Sequence, residues 1–91
     1  MQTLVIYDVE NDRVRNRVAE ACKDYGLVRV QKSAFRGDLN TNRREMLFQR
    51  LQQTLLRQAG SIHIYVLCDR DVKEILTIEQ AGRDGDSTDS E

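Results

Sequence analysis

Ninety-one residues, 40% hydrophobic and 32% charged, suit one globular domain with a single modest core and leave no room for two. No apolar run reaches the length of a membrane span, so no membrane association is expected, and Cys22 and Cys68 form no Cys-x-x-Cys pair. The net charge of −1 neither marks nor excludes a polyanion binder, because a local basic face can act against the global balance.

Taken in chain order, "TLVIYD" over residues 3–8 predicts a strand, rich in β-branched and aromatic residues and ending in a carboxylate. "ENDR" follows with turn and capping residues, Asn11 or Asp12 being the expected N-cap. Apolar residues then fall at Val14, Val18, Ala21 or Cys22, and Tyr25, a helical spacing that Gly26 ends. "LVRVQKSAFR" over 27–36 alternates at first, becomes irregular near Lys32–Ser33, and closes at Gly37-Asp38. A second helix is expected from about Thr41 to Gln58, with Leu47, Phe48, Leu51, Leu55 and Leu56 on or near one face. "SIHIYVL" predicts a strand with Ile62, Ile64 and Val66 on one side and His63, Tyr65 and Leu67 on the other. "DRDVKEILTIE" reads as a turn and a short edge strand around Ile75–Ile78.

The last nine residues, 83–91, carry four acids and one base and little that is apolar, which predicts a disordered acidic tail on a domain of residues 1–82. Removing them leaves 13 bases against 11 acids, and 11 of the chain's 14 bases are arginine, whose planar fork suits phosphate. The opening "MQTLVIYD" has no basic segment or cleavage pattern, so a cytoplasmic location with reduced thiols is expected.

Strand, helix, a strand with an irregular point, helix, strand is the order of an α+β sandwich of ferredoxin-like type: an antiparallel or mixed sheet with two amphipathic helices on one face. Both parities of "LVIY" are apolar, so the second sheet face needs cover. A second copy of the chain is the simplest source, and an added C-terminal segment is the other.

Asp8 is the first candidate for chemistry. A strand-end aspartate serves as a turn or capping residue, or as a ligand for a hard cation such as Mg²⁺, which takes one or two carboxylates plus substrate phosphates. One Asp per chain is thin for that role, and two across a dimer axis are adequate. On the first helix Arg13 and Arg17 share a face and Arg15 points away from both. They suit either a solvated flank or phosphate contact, and Arg29, Lys32, Arg36, Arg43 and Arg44 add further base. Phe35 fits a core or a base-stacking role. Ser33 has no nearby base to make it a nucleophile, His63 stands alone, and no glycine-rich phosphate loop is present.

"LVIYDVEND", "GLVRVQKSAFRG" and "IHIYVL", at these separations, resemble the second CRISPR-associated (Cas) protein family over residues 2 to about 80. The most specific elements are Gln31, Ser33, Phe35 and Gly37 in a Gln-x-Ser-x-Phe-x-Gly run, and Ile64, Tyr65 and Leu67 in a closing Ile-Tyr-x-Leu. The resemblance implies a ferredoxin-like βαββαβ fold, with the irregular point near Ser33 a break between two strands. It implies a homodimer formed through the sheet faces and a short C-terminal strand pairing with the partner's sheet. It implies a Mg²⁺-dependent (or Mn²⁺-dependent) endonuclease on single-stranded RNA or duplex DNA, or a non-catalytic DNA scaffold that bridges CRISPR integrase subunits in spacer acquisition. The metal-binding aspartate falls on Asp8, one from each subunit, and the neighbouring catalytic-site tyrosine on Tyr7. Nucleic-acid-binding positions fall on Arg15, Arg17, Arg29 and Phe35. Ala34, Arg36 and His63 depart from the family's usual valine, acid and arginine, the last two changing the charge of a nucleic-acid or partner surface.

Overall fold

The computed structural model describes residues 1–81; the expected acidic tail at 83–91 and the end of the expected 1–82 domain lie outside the described residues. The elements are β1 (Gln2–Val9), α1 (Asp12–Asp24), β2 (Val28–Gln31), β3 (Ala34–Asp38), α2 (Thr41–Leu55), β4 (Gly60–Leu67) and α3 (Asp69–Lys73). The strands form one antiparallel sheet in the order β2-β3-β1-β4, and α1 and α2 pack on one of its faces around a shared core. This is the expected α+β, ferredoxin-like sandwich. Among the described residues no helix is long and apolar enough to cross a membrane.

β1 divides its side chains by parity. Val5, Tyr7 and Val9 are buried under the helices, while Ile6 and Asp8 are exposed on the opposite face. Its register against β4 pairs Tyr7 with Ile62 and Ile6 with His63. That puts Ile62 and Ile64 against the core and His63 and Tyr65 on the open face, as the alternation predicts.

Asn11 is the N-cap of α1, its side-chain oxygen accepting from the Val14 N–H at 3.0 Å. Both Ala21 and Cys22 are buried, and Tyr25 is the half-buried C-cap. The helix ends in a Schellman turn: the Leu27 N–H donates to the Cys22 carbonyl at 3.1 Å and the Gly26 N–H to the Lys23 carbonyl at 2.9 Å. Gly26 holds the left-handed φ of 84° that this turn requires. β2 and β3 are separate strands joined by a two-residue turn at Lys32–Ser33, and a bulge between Arg29 and Gln31 explains the irregular pattern there.

Two expectations are corrected. α2 ends at Leu55 rather than Gln58, because Leu56 turns the chain at φ 47° and points outward; Phe48 is also largely exposed. "DRDVK" forms the short helix α3, and no strand forms around Ile75–Ile78, where Leu76 and Ile78 are almost wholly exposed.

Candidate nucleic-acid site at the end of the first strand

The C-terminal end of β1 opens into a cleft of about 500 Å³ lined by Tyr7, Asp8, Val9, Arg15, Asn16, Ala19, Arg29, Lys32 and Ser33. Three elements converge there: β1, the first turns of α1, and the β2–β3 hairpin. The hairpin is tied to the strand end by the Tyr7 N–H, which donates to the Ser33 carbonyl at 3.0 Å. On the other side of β1, Asp8 pairs with Ser61 and Val9 with Gly60. A Cβ on Gly60 would lie 2.5 Å from the Asp8 carbonyl oxygen, so only glycine lets β4 close against this stretch.

Asp8 is exposed, and its strand alternation directs it to the helix-free face. Tyr7 is directed the other way, into the core, with its ring stacked on Phe35 at 6.3 Å between centroids. Burial raises the Tyr7 hydroxyl above its ordinary value of 10.0, against the opposing pull of the Arg29 charge. The hydroxyl therefore stays protonated at neutral pH. The Arg29 guanidinium lies 4.8 Å over the Phe35 ring and donates to the Lys32 carbonyl at 2.6 Å. Arg15 donates from Nη1 to the carbonyls of Val9 at 3.0 Å and Glu10 at 3.3 Å, and from Nη2 to the Asp12 carboxylate.

Of the residues singled out from sequence, Tyr7, Asp8, Arg15 and Arg29 line this one cleft. Arg17 stands exposed on α1 outside the lining. Phe35 has no exposed surface, so the expectation that it meets a base is corrected: its ring is the floor on which Tyr7 and Arg29 rest. Asn16, Lys32 and Ser33 join the lining; Lys32 stood in the sequence only as one of several scattered bases, and Ser33 only as a serine without a base to activate it. The signal for the last two was the hairpin turn they form; nothing local marked Asn16.

Among the described residues no three His, Cys, Asp or Glu side chains gather as a metal cluster. What the cleft lining of one chain offers a divalent ion is a single carboxylate, Asp8, among three cations. This fits a Mg²⁺ site only when a second carboxylate or substrate phosphates complete it.

The family described as CRISPR associated protein Cas2 matches residues 1–75. The chain is 53% identical over 79 residues to the CRISPR-associated endoribonuclease Cas2 of Desulforudis audaxviator, covering 87% of this chain and 74% of that one. It is 32% identical over 78 residues to a Cas1/Cas2 endonuclease fusion of Thermoproteus tenax, covering 86% of this chain and 30% of the fusion. Its fold is similar to the crystal structure of Streptococcus pyogenes Cas2 at pH 6.5, with a TM-score of 0.74 and 30% identity over 87% of this chain and all of that one. A family match over most of the chain, this level of identity and the shared βαββαβ sheet have one reading: the chain belongs to the CRISPR-associated protein Cas2 family.

Proposed function

We propose that the protein is a Mg²⁺-dependent endonuclease acting on RNA or DNA phosphodiesters as a cytoplasmic homodimer in CRISPR spacer acquisition. The observation that carries this reading is the convergence at the end of β1 of Asp8, exposed on rigid strand backbone, with Arg15, Arg29 and Lys32 around one cleft. The naming of a relative at 53% identity as an endoribonuclease supports the reaction class.

In this reading two Asp8 side chains, one per protomer, would hold Mg²⁺ or Mn²⁺. The bound ion supplies Lewis-acid polarisation of the phosphoryl group. The chain's own residues orient the strand: the cationic wall draws in the backbone, and the protonated Tyr7 hydroxyl acts as a hydrogen-bond donor, not as a base. Arg17, on the exposed side of α1, extends the basic surface beyond the cleft. The helix-free sheet face, with Ile6, Val28 and Tyr65 exposed, supplies the dimer contact. β4 is an edge strand, and the segment carrying Leu76 and Ile78 pairs with the partner's copy of it.

Asp8→Ala should lower Mg²⁺-dependent cleavage of single-stranded RNA or duplex DNA by about 100- to 1,000-fold, the usual scale for removing one group that stabilises the transition state. Undiminished cleavage by a folded variant would remove Asp8 from the chemistry.

The relative in which Cas2 is fused to Cas1 supports partnership with a second subunit, and with it a second reading, a non-catalytic scaffold that holds duplex DNA between integrase subunits. There Asp8→Ala leaves DNA binding and its salt dependence intact, and no cleavage is found in the unmodified protein.

A further inference from the structure

The cleft's cations are not equivalent, and their hydrogen bonds separate them. Both terminal nitrogens of Arg15 donate to protein acceptors, and the Asp12 carboxylate already balances its charge. Three of its five N–H donors are thus engaged, two of them by the carbonyls of Val9 and Glu10, the two residues directly after Asp8, so the side chain is held against the strand end. Arg29 lies on Phe35 and donates to the Lys32 carbonyl, so it shapes the hairpin turn. Lys32, on that turn, is exposed, and among the described residues no carboxylate pairs with its ammonium. A flexible stem carrying a compact charge with three donors meets phosphate oxygens as a point charge. Ser33 lines the cleft beside it.

We infer that Lys32 is the side chain that meets a backbone phosphate in the cleft, and that Arg15 is a positioning residue fixing the strand end that carries Asp8. The inference rests on the nucleic-acid reading above. It assigns Arg15, which the family resemblance places among the nucleic-acid contacts, to a different task.

The test measures binding of labelled single-stranded RNA against salt in EDTA, and cleavage kinetics in Mg²⁺, for the full chain and its variants. Lys32→Gln should flatten the plot of log affinity against log salt by about 0.7 for each single-strand phosphate that the side chain neutralised. Arg15→Gln should keep the parental slope and KM while kcat falls about 10- to 100-fold, the cost of a misplaced group. Arg15→Lys keeps the charge but replaces the two-nitrogen fork, which holds the carbonyls through Nη1 and Asp12 through Nη2, with a single nitrogen, so it should lower kcat in the same way with less risk to folding. A parental slope in Lys32→Gln, a reduced slope in Arg15→Gln, or full kcat in Arg15→Lys overturns the assignment. If the unmodified protein binds but never cleaves, the nuclease reading fails and the slopes alone decide the assignment. If it binds no nucleic acid, both fall.

Discussion

Cys22 has no exposed surface, and burial pushes its thiol from 9.0 up to about 11, against the opposing charges of Arg29 and Arg50. Between those two values the unfolded chain has lost the proton that the folded chain keeps. The folded state binds more protons there, so stability falls as pH rises through the window. The raised Tyr7 hydroxyl acts in the same direction above its ordinary 10.0. The melting temperature should therefore decline from about pH 9 upward. Cys22→Ala should start lower, for its small cavity, but decline less steeply, with Tyr7 supplying the remaining slope. Thermal melts of both proteins below and above pH 9 check this, and parallel curves would mean the thiol is not the source.

At the level of elements, the α1–β2 turn sits directly on β3. A Cβ on Gly37 would come 2.7 Å from Leu27 Cδ2, 3.2 Å from Leu27 Cα and 3.3 Å from the Gly26 carbonyl oxygen. The methyl end can rotate away, but the two backbone atoms belong to the Schellman turn and cannot. Gly37→Ala should cost about 1–3 kcal/mol, the range for overpacking, as read by urea denaturation. A neutral effect would mean the turn and strand have slack between them. Much of this layout was legible in the sequence. The period-2 run of β1, the 3.6-residue spacing of α1 and the alternation of β4 each follow from local pattern. The facing of Phe35 was not legible, because it depends on the bulge between Arg29 and Gln31, which has no residue signature of its own. The end of α2 was hidden for a related reason: Leu56 is a sound helix former, yet it takes a positive φ where the chain must turn toward β4. Arg15 could be seen to point away from Arg13 and Arg17, but its acceptors include backbone carbonyls, which no side-chain pattern reveals.

For the whole molecule, the two helices leave one sheet face uncovered. Ile6 is 40%, Tyr65 46% and Val28 66% exposed there. A second chain laid on that face would bury these residues, and the proposed chemistry requires that it also bring the two Asp8 carboxylates together. Ile6→Glu places a charge in that contact without touching the core. It should shift the protein to monomers in analytical ultracentrifugation at micromolar concentration and abolish Mg²⁺-dependent cleavage. A dimer that survives this substitution uses another surface. The need to cover the second face was legible in the two apolar parities of β1.

Asp8 owes its position to the backbone alone: it packs against nothing in the interior, and its flanking neighbours Tyr7 and Val9 do the holding. In the proposed chemistry, reactivity and architecture are thus separable by a single codon. A lineage could discard the acid and keep an intact body still shaped to cradle a polynucleotide, so overall shape would group cutters and clamps together while this one position sorted them.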